Sequence, residues 1–222
     1  MKNTVVFDLD GTLVHTSPSL GKAVNLLLKR IGREPLDETH VKEFIGNGAR
    51  KLVSRTLEYL DVPESELTVD EALTSFFECY EETFLDTDQY PDIDRTLIAL
   101  KDNGVTLCVL SNKPDKFVRP IVDHIFGKDV FAVAEGARAG VPHKPDPTAL
   151  NDMLSRIGSD PDHCVFVGDS DVDVQIAKNV GCKCCAVDWG YRSHEVLEAA
   201  GPDCIVSDAQ ELLRNVTDLL IS

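Results

Sequence analysis

Two aspartates, Asp8 and Asp10, stand directly after the apolar run Val5-Val6-Phe7 and before Gly11. Further along, Ser111, Asn112 and Lys113 follow Val105–Leu110, Lys144 stands just before Pro145, and Asp169, Ser170 and Asp173 follow Cys164–Gly168. Carboxylates gathered this way raise one another's pKa and strain a fold unless a cation accompanies them. All-oxygen donors without paired His or Cys suit a hard cation, so the set predicts Mg2+. Given that cation, one carboxylate is placed to attack phosphorus and its neighbour to move protons. Asp8 is expected to form an aspartyl phosphate, splitting one difficult displacement into two. Asp10 is expected to protonate the leaving alkoxide and then activate the water that cleaves the intermediate. Lys144 would neutralise phosphate charge, with Ser111 and Asn112 adding hydrogen bonds from side chains or backbone N–H groups.

These residues meet only if the elements carrying them form one sheet. The runs at 5–7, 105–110, 130–134, 164–168, 184–187 and 203–206 are short, rich in Val and Cys, and predict strands buried on both faces. Helical patterns lie between them from residue 92 on, which predicts an α/β fold with a doubly wound parallel sheet. In such sheets ligands bind beyond the carboxyl ends of the strands, where the candidate residues fall.

About 75 residues without a convincing strand follow the first run, and an inserted helical domain explains them. Ser17-Pro18 predicts an N-cap and first helical residue for a helix with Leu20, Val24, Leu27, Leu28 and Ile31 on one face, closed by Gly32. Asp37 predicts the cap of a short helix to Ile45, and Thr68 with Glu71 predicts a capping box for a helix through Phe84. The expected division is a catalytic core of residues 1–15 and 87–222 with a helical cap of residues 16–86.

The chain of 222 residues carries 38 acids against 22 bases, a net charge of −16, which disfavours nucleic acid and anionic membrane surfaces as partners. No apolar stretch is long enough to span a bilayer, and acids interrupt the N-terminal apolar run too early for a signal peptide. Seven cysteines, several inside apolar runs, suit reduced thiols and a cytoplasmic protein. Cys182, Cys184 and Cys185 cluster without a fourth ligand for zinc. His143, Lys113 and Asp171 are expected to face solvent, and Trp189-Gly190-Tyr191-Arg192 to be an ordinary loop.

Asp8 and Asp10 alone would also suit a turn after a strand, and Asp169 and Ser170 a helix cap, as the plainer alternatives. Taken together, DLDGTLV, the SNK segment, KPDP and GDSDVD resemble the four signature motifs of the haloacid dehalogenase superfamily, in the same chain order. The resemblance implies Asp8 as nucleophile and metal ligand, Asp10 as acid/base and metal ligand through its carbonyl, and Ser111 with Lys144 as phosphate ligands. It implies Asp169 as a direct metal ligand and Asp173 as a supporting one. Asp10 argues against a dehalogenase, because a halide leaving group needs no acid.

In the helical segment, Gly46, Asn47, Gly48 and Arg50 form a candidate substrate loop where backbone N–H groups approach an anion, although an interhelical turn is the alternative. FIGNGARKLVSRTL is similar to the cap loop of phosphoglycolate phosphatases, and VDWGYR resembles their region after the fifth strand. AEGARAGVPHKPDP departs from their Gly-Gly-Asp and Lys-Lys-Pro elements. The expectation is a phosphatase for a small phosphorylated metabolite, 2-phosphoglycolate foremost, working as a monomer or homodimer. A phosphosugar mutase of the β-phosphoglucomutase kind shares the catalytic residues, and a phospho-accepting receiver domain needs only half this length.

Overall fold

The computed structural model describes residues 2–45 and 48–221. In chain order, β1 (Thr4–Phe7) and the short β2 (Val14–His15) precede four helices, α1 (Ser17–Arg30), α2 (Glu38–Phe44), α3 (Gly48–Tyr59) and α4 (Val69–Thr83). The short β3 (Asp88–Gln89), α5 (Ile93–Asp102), β4 (Thr106–Pro114), α6 (Asp115–Phe126) and β5 (Val133–Ala137) follow. The chain ends with α7 (Thr148–Ile157), β6 (Cys164–Gly168), α8 (Asp171–Val180), β7 (Lys183–Val187), α9 (His194–Ala200), β8 (Cys204–Val206) and α10 (Ala209–Ile221).

Two compact units result: Thr16–Asp88, and the chain up to His15 together with everything from Gln89 on. In the second, six strands pair in the order β5-β4-β1-β6-β7-β8, every pairing parallel. The order reverses at β1, whose Phe7 lies opposite Val109 of β4 and Val167 of β6. The carboxyl ends of these three central strands therefore lie side by side. β1 and β6 are buried throughout, as strands covered on both faces must be. One face, with Val6, Cys108, Phe166 and Cys184, packs against Leu150, Met153 and Leu154 of α7 and Ile176 and Ala177 of α8. α5 and α10 lie together, α5 against β4 and α10 against β6, β7 and β8, joined by Thr96 Oγ1 donating to Ala209 O (2.9 Å).

Most strands fall within a residue of their expected bounds, and β4 and β5 depart furthest from them. The ladder of β5 starts at Val133, opposite Cys108, and not at residue 130. Phe131 instead stays buried outside the strand, edge-on to the rings of Phe7 and Phe126, so its apolar signal belongs to the core and not to the sheet. β4 continues to Pro114 through a register shift after Leu110, which puts Ser111, Asn112 and Lys113 on extended backbone.

In the helical unit, α1 buries Ala23, Val24, Leu27 and Leu28, and packs on α4, which buries Ala72, Phe76, Cys79 and Tyr80. The N-cap of α1 is Thr16, one residue before the expected Ser17, leaving Pro18 in the first turn, where its missing N–H has no helical partner to lose. Asp37 caps α2 by accepting from His40 N, and Thr68 and Glu71 form the reciprocal capping box of α4. Among the described residues no helix is long and apolar enough to cross a membrane.

Candidate active site

β1 ends at Phe7, and the Asp8 N–H donates to Val167 O (2.8 Å), tying the first residue beyond the strand to β6. A tight turn follows in which Leu9 O accepts from Thr12, Leu13 and Val14. Gly11 sits at φ +89°, and a Cβ there would lie 2.4 Å from Asp169 Oδ2. Both the left-handed backbone and the close approach require glycine. The turn places Asp8 and Asp10 in different surroundings.

Asp8 faces Lys144, whose Nζ lies 2.9 Å from Asp8 Oδ1 and 2.8 Å from Asp173 Oδ1. This buried oxygen has the Lys144 ammonium as its ionic neighbour and, among the described residues, no conventional hydrogen-bond partner. Asp10 faces Lys113, whose Nζ reaches both carboxylate oxygens at 2.9 and 3.1 Å. Both lysine side chains are almost wholly buried, at 3% and 4% exposure, so each is fixed by its carboxylate partners. Asn112 holds the backbone of Lys144 from two sides: its Nδ2 donates to Lys144 O (3.0 Å), and its Oδ1 accepts from Lys144 N (2.8 Å). The Asn112 amide, expected to be available for phosphate, is thus engaged in positioning the lysine. Ser111 Oγ is buried and accepts from Lys113 N (3.2 Å).

Asp169, the first residue after β6, accepts from Thr12 Oγ1 (3.3 Å) and from the Tyr191 N–H (2.7 Å). Asp173 belongs to α8 and is fully committed. Its Oδ1 takes Lys144, and its Oδ2 takes the N–H (3.1 Å) and hydroxyl (2.6 Å) of the N-cap Ser170.

Oxygens of Asp8, Asp169 and Asp173 lie within 4.8 Å of one another, and among the described residues this is the one group arranged to hold a metal. Burial pushes the Asp8 carboxyl up to about 6 against the opposing pull of Lys144, with Asp173 and Asp10 adding to the rise. Asp169 is raised well above the usual carboxylate range, again by burial first and then by Asp173 and Asp8. For Lys144, burial alone would lower the pKa, but Asp173 and Asp8 together outweigh it and hold the ammonium charged. Three carboxylates against one ammonium leave two negative charges when all are ionised. A divalent cation matches that excess, the hard oxygen donors and the Asp8 oxygen lacking a hydrogen bond.

Two expectations are corrected here. Lys113 does not face solvent: it is buried on Asp10, 103 positions away in sequence. Its separation of two from Ser111 on extended backbone was the available signal, since such residues share a side. Residues 189–191 are not an ordinary loop either. Besides the Tyr191 bond, Trp189 Nε1 donates to Thr12 O (3.2 Å), and a Cβ on Gly190 would lie 2.3 Å from Asp169 Cβ. His143 and Asp171 are exposed as expected. Of the candidate loop in the helical unit, Gly46 and Asn47 lie outside the described residues, Gly48 opens α3, and the exposed Arg50 pairs with Asp70. Cys184 and Cys185, neighbours on β7, point to opposite faces of the sheet, so the three clustered thiols do not converge.

A doubly wound sheet with carboxylates and lysines meeting where its strand order reverses defines a class of hydrolase. Residues 5–187 match the haloacid dehalogenase-like hydrolase family, and the chain belongs to that family. Within it, a phosphoglycolate phosphatase of Pseudomonas aeruginosa is 38% identical over 213 residues, covering 94% of this chain and 78% of the relative. The Yersinia pestis phosphoglycolate phosphatase is 34% identical over 210 residues, covering 94% and 90%. A crystal structure from Lactobacillus delbrueckii subsp. bulgaricus, provisionally assigned as a phosphoglycolate phosphatase, has a TM-score of 0.87 at 30% identity. It covers 97% of this chain and 99% of its own.

Proposed function

We propose that the chain is a phosphate monoester hydrolase that cleaves a small phosphorylated metabolite, 2-phosphoglycolate foremost, to glycolate and phosphate. The observation that carries the reading is the different environment of two adjacent acids: Asp8 beside Lys144 within the metal-binding group, and Asp10 beside Lys113. Environments that separate two carboxylates also separate their roles.

In this reading Asp8 attacks phosphorus and the P–O bond to the leaving alkoxide breaks, forming an aspartyl phosphate. Asp10 donates its proton to that alkoxide, then removes one from the water that attacks the intermediate, a contribution of about 10²–10⁴-fold. Lys113 sets the direction of the Asp10 carboxylate. Lys144 and the Ser111 hydroxyl receive the phosphate oxygens, with Asn112 fixing the lysine's backbone. Asp8, Asp169 and the Asp10 carbonyl would hold Mg2+, which supplies positive charge against the phosphoryl oxygens when bound. Asp173, both oxygens engaged, would support rather than coordinate. The helical unit Thr16–Asp88 would serve as the cap that selects small substrates, with Gly46, Asn47, Gly48 and Arg50 as its substrate loop. The named relatives favour 2-phosphoglycolate over other small esters.

The test is incubation with a panel of small phosphate esters and Mg2+, including 2-phosphoglycolate and β-glucose 1-phosphate. Release of inorganic phosphate, fastest from 2-phosphoglycolate by kcat/KM, is expected. Isomerisation of the sugar phosphate without phosphate release would show a mutase instead.

A further inference from the structure

Asp169 is held from one side by the turn after β1 and from the other by the segment after β7. Thr12 Oγ1 donates to Oδ1 at 3.3 Å, and the Tyr191 N–H donates to Oδ2 at 2.7 Å. Gly190 presses so closely that an added Cβ would lie 2.3, 2.4 and 2.6 Å from Asp169 Cβ, Oδ2 and Cγ. Gly11 closes on the same oxygen from the opposite turn, with its Cβ position 2.4 Å from Oδ2. Trp189 locks the two sides together, its Nε1–H donating to Thr12 O at 3.2 Å across 177 positions of sequence. Its ring lies against Tyr90, which in turn lies against His15, so the indole is itself braced.

We propose that Trp189, Gly190 and Tyr191 form a strap whose role is to fix the orientation of the Asp169 carboxylate toward a divalent cation, with Trp189 as the positioning residue. The inference rests on the reading of Asp169 as a metal ligand. A carboxylate alone can rotate about two torsions. Here one oxygen is bound by a backbone N–H, which cannot swing away, and the other by a hydroxyl whose own main chain is tied to Trp189. Partners behind a ligand commonly tune metal affinity by about 10–100-fold when removed. A tryptophan whose ring were needed only for packing would tolerate loss of its N–H, and an ordinary loop would tolerate alanine for glycine.

The experiment measures Mg2+ binding by calorimetry without substrate, in the full-length protein, for wild type, Trp189→Phe, Gly190→Ala and Asp169→Asn. Trp189→Phe keeps an aromatic ring and loses the donor, and about tenfold weaker binding is expected. Gly190→Ala forces Asp169 aside, and about 100-fold weaker binding is expected. Trp189 is the chain's single tryptophan, so quenching of its fluorescence by Mn2+ gives a second reading in wild type and Gly190→Ala, with midpoints shifting in parallel. Wild-type affinity in either variant overturns the proposal, and if one variant does not fold the other decides. Asp169→Asn separates the two failures. Unchanged metal affinity there refutes Asp169 as a ligand, whereas lost affinity there with intact affinity in the strap variants refutes the strap alone.

Discussion

Replacing Lys144 with methionine removes the positive charge at the centre of the site while keeping a side chain of similar length. Its Nζ bridges Asp8 at 2.9 Å and Asp173 at 2.8 Å, and the side chain is 3% exposed. Breaking a buried ion pair by removing one partner costs about 3–5 kcal/mol, because the remaining charge stays buried. The cost must depend on pH. Asp8 titrates at about 6 in the folded protein against an ordinary 3.8, so the native state binds this proton more tightly than the unfolded chain. The Asp8 contribution to native stability therefore falls as pH rises from about 4 to 6, by up to about 3 kcal/mol, and is level above that. Asp169, also raised, acts in the same direction. Lys144 is raised above the ordinary lysine value, so its contribution is complete at every pH below about 10. Without it Asp8 loses its main lowering influence, and its titration moves above 6. Urea unfolding in excess chelator, followed by far-UV circular dichroism, should show Lys144→Met destabilised by about 3–5 kcal/mol at pH 8. At pH 5 the loss should be smaller by about 1 kcal/mol or more, since protonation replaces the lysine as the neutralising charge. Equal destabilisation at both pH values, or none, would show that Lys144 is not the charge that neutralises Asp8.

Mg2+ affinity should fall as pH drops below about 6, roughly tenfold per unit for each proton displaced, as Asp8 and Asp169 protonate; calorimetry at pH 5 and 7.5 measures it. Lys113→Met should lower kcat by about 10–100-fold with KM little changed, because Asp10 loses the ammonium 2.9 Å away that sets the direction of its carboxylate. An unchanged kcat would separate Lys113 from proton transfer. Asn112→Ala removes both bonds to the Lys144 backbone and should cost about 1–3 kcal/mol in kcat/KM, with the Tm falling far less than in Lys144→Met. Cys108, buried and pushed up to about 11, should resist alkylation at pH 8, whereas the half-buried Cys182 and Cys204 should react first in peptide mapping.

What the residues announce on their own depends on how local their signal is. Continuous apolar runs specify β1 and β6 because both faces are covered, and acids directly after such runs mark Asp8, Asp10 and Asp169 as strand-end residues. Capping boxes are equally local, which is why Thr68 and Glu71 are readable. The start of β5 is not, since Phe131 supplies core packing from outside the ladder and imitates a strand residue. Lys113 reads as a surface lysine until a partner 103 positions away is brought beside it. The strap is least visible of all: its contact with Asp169 is a backbone N–H and a missing Cβ, neither of which has a side chain to announce it.

In the proposed reaction Asp8 carries the phosphoryl group between two half-reactions. Enzyme mixed rapidly with 2-phosphoglycolate and Mg2+, quenched in acid and reduced with borohydride, should yield homoserine in place of aspartate at residue 8 alone, because an acyl phosphate is reduced and a free carboxylate is not. Phosphate release with Asp8 unmodified, or reduction at Asp10 or Asp169 instead, would contradict the account.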